Sequence, residues 1–325
     1  MTVTDLPPVA SAPAPSPWAP PPAGGARRVV LPRVAPVRQF RQVLPDVPQL
    51  IGAGLAIAAA LLLGLVLELG PLGAVKHLRD HETGYAQLRE SLAKGLTPIG
   101  QYGADGKPVE VGTPVALLEI PQLGLREVVR EGTGGGVLES GPGHRRDTPM
   151  PGQAGTSVVF GRQAGFGGPF GALGNLRPGE TFKVTTGQGE QVFRVIGTRR
   201  VGDPIPAPAK AEAGRLVLVT GSGPHYAPSG TLLVDADLMS EVRPANARPL
   251  TAAALPAAEA AMGTEDAAWI PLVLWGEGLL LAAVGLAVAW ARWGRRQTWI
   301  VGVPVVGYLA LAVADEVARL LPNLI

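Results

Sequence analysis

Three long apolar segments constrain the fold of this chain more than any other feature. The first, Leu50 to Leu67, runs for eighteen residues without a charge, and as a helix it would span about 27 Å, close to the hydrocarbon thickness of a bilayer. The second and third are Trp269 to Ala291, broken by Glu277, and Trp299 to about Leu320. We therefore predict three transmembrane helices, within residues 49–71, 267–291 and 299–320.

The basic residues predict how these helices are oriented. Cytoplasmic loops of membrane proteins are enriched in Arg and Lys, and arginines occur both before the first span and in the loop at residues 292–298. These arginines are Arg27, Arg28, Arg33, Arg38 and Arg41, then Arg292, Arg295 and Arg296. We predict a multi-pass plasma-membrane protein with a cytoplasmic N-terminus and an extracytoplasmic domain between the first and second spans. A cleaved signal peptide is the competing interpretation, but its apolar core would be shorter and no small-residue cleavage pattern follows.

Composition excludes several functions. The net charge is +2, and the basic residues lie beside apolar segments and not on a domain face, which argues against a nucleic-acid partner. The sequence contains no cysteine, so disulfides, thiolate nucleophiles and Cys-ligated metals are all excluded. We predict no cofactor and no metal, and the lipid bilayer as one partner. The sequence does not indicate an oligomeric state.

The regions outside the spans differ in amino-acid composition and hydrophobic pattern. Residues 1–48 are rich in Pro and Ala, too poor in apolar surface to fold, and are predicted to be a disordered cytoplasmic leader. Residues 72–112 begin with helical spacing and predict a stalk helix that lifts the next domain off the membrane, followed by a linker. Residues 113–240 contain short apolar runs between Gly and Pro turns, which indicates a barrel or sandwich. Residues 241–266 are Ala- and Pro-rich and are predicted to be a tether.

Several polar residues admit both a functional and a structural interpretation. His77 and His81 are spaced to share one helical face, but without a third ligand we expect solvated histidines. Asp235 and Asp237 are expected to face solvent and not to bind calcium. Glu277 lies within a span, and since a carboxylate there is costly unless paired, we hypothesise that it pairs with Arg319 or with a partner subunit.

The outer domain resembles a known family. The matching motifs occur in order, and they are LLEIPQLGL (Leu117 to Leu125), EGTGGGVLESGPGHRRDTPMPGQAG (Glu131 to Gly155), VVFGRQAGFGGPFGALGNLRPGE (Val158 to Glu180) and RLVLVTGS (Arg215 to Ser222). They are similar to motifs of the sortases of classes C and E, the cysteine transpeptidases that attach proteins to Gram-positive cell walls. The resemblance implies an all-β fold, a sortase-like closed β-barrel, here with an N-terminal stalk helix and three transmembrane helices.

The resemblance fails at the positions that carry catalysis. Sortases use a Cys nucleophile, a His acid/base and an Arg that stabilises the oxyanion, and the aligned positions here are Gly221, Arg162 and Thr231. Glycine has no side chain, and an arginine cannot exchange a proton at physiological pH. Loss of the nucleophile removes the acyl-enzyme route. We therefore predict no catalytic residue for the family reaction.

Three functions remain open. The preferred one is a catalytically inactive sortase-fold domain that recognises or assembles cell-envelope proteins, with a cell-wall or surface-protein peptide as partner. The second is an atypical hydrolase or transpeptidase that uses Ser222 as nucleophile and His225 as base. The competing interpretation is that these two residues belong to a flexible Gly/Pro loop with no catalytic role. The third is a membrane subunit whose three-helix bundle carries the function, while the barrel orients a partner. Arg162 would be either a fork for a carboxylate or phosphate or a surface arginine, and His144 is interpreted as a loop histidine.

Overall fold

The structure of this protein is a computed structural model that describes residues 47–325, apart from residues 104, 208–209, 211 and 247–249. The predicted leader therefore lies almost entirely outside the described residues. Within the described part, three stretches are helical, long and apolar enough to cross a membrane: Gly54–Lys94, Asp266–Trp290 and Arg295–Leu320.

The first of these stretches contains a kink. Helix α1 (Val47–Leu67) continues through a π-helical turn, Glu68–Leu72, into helix α2 (Gly73–Lys94). Pro71 lies inside the turn and the backbone of Gly70 leaves the helical region (φ −101°, ψ −108°), because proline has no N–H to donate and its ring crowds the preceding turn. A side chain at Gly73 would meet the carbonyl oxygen of Glu68 at 2.3 Å. The kink thus requires both a proline and a glycine.

Helix α2 packs against the domain that follows it. Leu88 is buried against Leu117 and Val128, with Tyr85 and Leu92 beside them. Leu78, in the first half of α2, is 62% exposed. The predicted N-terminal helix is therefore present and its second half lies along the domain surface, while its role in lifting the domain off the membrane stays a prediction.

The outer domain is a closed barrel of eight strands in the order β1–β2–β3–β4–β7–β8–β6–β5. Most neighbours are antiparallel, whereas β2–β3 and β4–β7 are parallel. A short helix, α3 (Gly135–Ser140), follows β2. The strands are β1 (Pro114–Ile120), β2 (Leu125–Glu131), β3 (Gly143–His144), β4 (Gly155–Phe160), β5 (Thr181–Thr186), β6 (Gly189–Arg200), β7 (Gly214–Ser222) and β8 (Gly230–Leu238).

Strand β7 is buried on both faces, and this positions the site. Successive side chains of a strand point to opposite faces of the sheet. Leu216 and Leu218 join the core inside the barrel, whereas Val217 and Val219 belong to a second cluster on the outer face. Covering the outer face of a barrel strand requires chain from elsewhere, and that chain supplies the site described below.

Polar residues in this region have partners that the sequence does not reveal. The prediction that Asp235 faces solvent is wrong, because it is 2% exposed and its carboxylate lies 2.7 Å from Arg199 Nε. The predicted tether, residues 241–266, also contacts the barrel, because Glu259 forms an ion pair with Arg146 and its carbonyl accepts a hydrogen bond from Thr133 Oγ1 at 2.7 Å. Ion pairs across the barrel surface could not be read from the Ala-rich texture.

The remaining helices form a bundle with α1. Helices α4 (Trp269–Trp293) and α5 (Arg295–Leu320) are separated by Gly294 alone, and Trp275 stacks edge-on against Tyr308 with ring centroids 6.0 Å apart. On the other side of α5, a Cβ on Gly64 would lie 3.1 Å from the carbonyl oxygen of Ala310. Small residues at these crossings let the helices approach closely.

The predicted pair within the bundle does not form. Glu277 is exposed on α4. Arg319 contacts Asp315 at 3.1 Å, Glu316 at 3.8 Å and Glu139 of the barrel at 3.9 Å. Arg319 thus lies at the end of α5 that meets the barrel, where three carboxylates compete for it, and the proposed partnership with Glu277 is wrong.

Candidate functional site

The three positions that the sequence comparison predicts to replace the sortase catalytic residues lie around one end of β7. Gly221 is paired directly with Thr231 of β8. Arg162 follows strand β4, whose last residue, Phe160, is paired with Val219 of β7. The structure therefore brings Gly221 and Thr231 together as cross-strand neighbours and places the Arg162 backbone on the adjoining strand.

Arg162 is a buried residue and not a surface one, so that interpretation is wrong. Its side chain is 0% exposed, and its guanidinium lies over the Phe166 ring at 4.7 Å. Nη2 donates to the Gly135 carbonyl at 3.1 Å, whereas Nε and Nη1 have no hydrogen-bond partner in the part of the chain that the structure describes. Burial lowers the pKa of Arg162 to about 10, so the side chain keeps its charge at neutral pH and cannot act as the acid/base.

Glu139 of helix α3 connects this arginine to the membrane helices. Its Oε1 lies 4.0 Å from Arg162 Nη2 and 3.9 Å from Arg319 Nε. Burial raises the pKa of Glu139 to about 7, although Arg162 and Arg319 act in the opposite direction. The carboxyl group therefore titrates near neutral pH while it bridges the barrel and α5.

The outer face of β7 forms a groove that is filled by the chain itself. We define the groove by Leu138, Phe160, Gln163, Val217, Val219 and Gly221, and the groove segment as Leu321–Ile325, which follows α5. Leu324 is 0% exposed and packs with Leu138, Phe160 and the two valines. The backbone N–H of Gln163 donates to the Leu324 carbonyl at 3.0 Å. Sequence reasoning missed both Gln163 and the groove segment.

Asn323 fixes the groove segment from the other side. It is 0% exposed, and its Nδ2 donates to the carbonyls of Thr133, Ala258 and Ala260. Its backbone N–H donates to the Gly263 carbonyl at 3.0 Å. The only sequence signal for this arrangement is an apolar, Pro-containing stretch after the third span.

The alternative nucleophile and base are not brought together. Ser222 is the neighbour of Gly221 at the end of β7, so strand alternation directs its side chain to the opposite face from the groove. His225 lies in the exposed loop that follows. Within the described part of the chain, no hydrogen bond joins Ser222 to His225.

The remaining histidines are structural. His144 is in strand β3 and 1% exposed, which corrects the prediction of a loop histidine. Its Nδ1 is 2.9 Å from Glu131 Oε2. Burial opposes protonation, yet the charge and hydrogen bond of Glu131, together with the Pro149 carbonyl and the charge of Asp147, raise the pKa of His144. His77, predicted to be solvated, is 6% exposed and lies 3.1 Å from Glu127.

Among the described residues, no group of three or more metal-ligating side chains could hold a metal ion.

Comparison with known proteins identifies the barrel. Residues 118–239 match the family model of the Sortase domain. The barrel is a domain of the sortase family. Sortase D of Bacillus subtilis is 30% identical over 111 residues, which are 34% of this chain and 54% of that protein. The chain thus spans about half the length of this curated relative.

Solved sortase structures are also similar to the chain. Sortase E from Streptomyces avermitilis is 31% identical, with a TM-score of 0.35, and the match covers 41% of this chain and 91% of that one. The Sortase D5 transpeptidase of Clostridium perfringens is 21% identical, with a TM-score of 0.40 and coverage of 51% and 99%. Clostridium perfringens sortase C with the C-terminal cell wall sorting motif is 19% identical, with a TM-score of 0.38 and coverage of 50% and 89%.

The titration of Glu139 predicts a pH-dependent stability. A carboxyl group whose pKa is raised on folding stabilises the protein below its unfolded pKa, and that contribution is lost as the pH rises through the folded pKa. For Glu139 this window runs from 4.5 to about 7. As the pH rises across this window, the unfolding free energy of the wild type should fall relative to that of Glu139→Gln by on the order of 3 kcal/mol.

The measurement is unfolding of the purified full chain in detergent at pH values between about 4 and 8. Glu241→Gln, at an exposed position, is the matched control and should follow the wild-type curve. A constant difference between wild type and Glu139→Gln at every pH would contradict the assignment.

Proposed function

We propose that this chain is a membrane-anchored protein that displays an inactive sortase domain outside the membrane and uses its groove to bind a peptide segment of a surface or cell-wall protein without cleaving it. The observation that carries this proposal is the composition of the groove. At the position of the nucleophile the groove has glycine, and beside it the Gln163 N–H holds a peptide carbonyl.

The lack of catalysis follows from the chemistry of the groups present. Acyl transfer by the family route needs a nucleophile that faces the groove and a base within hydrogen-bond reach. The sequence contains no cysteine, Ser222 leaves β7 on the opposite face, and Arg162 retains its proton. The hydrolase alternative would need Ser222 and His225 to approach each other inside the groove, and no observation favours it.

Binding is supported by what the groove holds. The side chain of Leu324 packs in the pocket formed by Leu138, Phe160, Val217 and Val219. The backbone carbonyl of Leu324 accepts a main-chain hydrogen bond from Gln163. Burying one leucine fully stabilises by about 1.5–3 kcal/mol, and the backbone hydrogen bond fixes the direction of the chain. A partner peptide with an aliphatic residue at this point would make the same contacts.

Membrane anchoring is supported by the three apolar helices and by the distribution of arginines. The interfacial tryptophans Trp269, Trp290, Trp293 and Trp299 are exposed on the helices, as expected of residues that anchor spans at the bilayer surface. The positive-inside rule then assigns the junction of α4 and α5, with Gln297 in the first turn of α5, to the cytoplasm and the barrel to the outer side.

Single engineered cysteines can test the orientation, because the natural chain has none to interfere. In intact cells, a membrane-impermeant maleimide should label Tyr226→Cys on the barrel. Gln297→Cys should be labelled only after the cells have been permeabilised. Both positions are exposed, so the opposite pattern would contradict the proposed orientation.

Peptide binding tests the function itself. The probe is a fluorescent, end-capped Leu-Pro-Asn-Leu-Ile peptide, titrated into the full chain and into its Leu324→Asp variant, whose groove segment should be undocked. We expect saturable binding to the variant and recovery of intact peptide by mass spectrometry, and Ser222→Ala should change neither result. A Leu-Pro-Asn-Asp-Ile peptide is the matched control and should bind weakly, because a carboxylate cannot enter the apolar pocket.

Two results would contradict the proposal. One is the absence of saturable binding to both forms of the protein. The other is peptide cleavage that disappears in Ser222→Ala, which would establish the hydrolase instead.

A further inference from the structure

The groove segment fits a site that has no room for a nucleophile. A Cβ placed on Gly221 would lie 2.7 Å from Gln163 Oε1, 2.9 Å from the Leu324 carbonyl oxygen and 3.0 Å from Pro228 Cβ. Two of these atoms are oxygens, and the Leu324 oxygen belongs to backbone that is itself hydrogen-bonded. A side chain at residue 221 therefore requires the Leu324 carbonyl to shift from its docked position, so glycine at this position favours docking of the segment.

The segment makes the contacts that a bound peptide would make. Leu324 fills the apolar pocket, its carbonyl accepts from Gln163, and the Asn323 amide donates to three carbonyls. These are contacts of a ligand with side-chain specificity, an aliphatic residue preceded by a primary amide. They also join the barrel to the chain that emerges from α5.

Several polar atoms in and beside the groove are unsatisfied in the docked state. Arg162 Nε and Nη1, Gln163 Oε1 and Asn323 Oδ1 are buried without hydrogen-bond partners among the described residues. An unsatisfied buried polar group is destabilising, so the docked state is less stable than its contacts alone would make it. A partner that satisfied these atoms could compete with a segment that does not.

We propose that Leu321–Ile325 is a resident ligand of the groove, which an external peptide of the same chemistry must displace. The proposal rests on the proposed peptide-binding function and adds its regulation. A ligand carried on the same chain acts at a local concentration in the millimolar range. External peptides therefore bind to the small fraction of molecules in which the segment has left, and their apparent affinity is reduced by that fraction.

The first experiment measures docking of the segment. Ile325 is 3% exposed, so the thiol of Ile325→Cys, the sole cysteine of the full chain, should react slowly with maleimide in detergent micelles. Adding Gly221→Ala should accelerate labelling by about tenfold or more, because the new methyl group displaces the Leu324 carbonyl. Gly197→Ala is the matched control, since a Cβ at that strand glycine meets nothing within 4 Å.

The second experiment measures competition. The Leu-Pro-Asn-Leu-Ile peptide should accelerate labelling of Ile325→Cys, whereas Leu-Pro-Asn-Asp-Ile should not. Leu324→Asp should bind the first peptide about tenfold or more tightly than wild type does. If Gly221→Ala fails to fold, Leu324→Asp alone still gives this comparison.

The outcomes separate the two proposals. Equal peptide affinity in wild type and Leu324→Asp, with fast labelling of residue 325 in both, would overturn the resident ligand and leave peptide binding standing. Protection of residue 325 with no peptide binding by either form would refute the peptide-binding function, and with it the displaceable ligand, since the segment would then be a fixed part of the barrel.

Discussion

The structure depends on one contact, the hydrogen bond from the Gln163 N–H to the Leu324 carbonyl. This bond is made beside Gly221, which has no side chain. It places the chain that leaves α5 on the outer face of β7. That face carries Val217 and Val219, which would otherwise be exposed. A Cβ at residue 221 would lie 2.9 Å from the Leu324 carbonyl oxygen, so the glycine leaves room for the contact.

The same region joins the barrel to the helical bundle by charge. Glu139 lies between Arg162 in the barrel and Arg319 at the end of α5, and Lys76 of α2 pairs with Glu68 and Asp315. Buried charges are costly unless they are compensated. Because these charges come from both parts of the molecule, the barrel and the helices compensate each other at their junction, and displacement of the groove segment would occur next to it.

Much of the fold could be predicted from the sequence. The motif order around Leu117–Leu125 and Arg215–Ser222 predicted a sortase-like closed barrel, and the structure and the family match confirm it. The helices were predictable because eighteen apolar residues in a row have few alternatives.

The wrong predictions concern polar residues whose partners are distant in sequence. Arg162 was interpreted as exposed or ligand-binding, although Gly135 and Phe166 bury it, and His144 was assigned to a loop, although Glu131 pairs with it in a neighbouring strand. Arg319 was assigned to Glu277 on helical depth alone. Periodicity reports which face of an element is apolar, but it carries no information on which remote side chain meets a charge.

The central claim is that no group in this protein can accept an acyl group in the groove. Intact-protein mass spectrometry tests it most directly, after the purified full chain and its Leu324→Asp variant have been incubated with a sorting-signal peptide and quenched in acid. The account predicts that both polypeptides keep their unmodified mass. A mass increase equal to a peptide acyl fragment, on any residue of either protein, would contradict it.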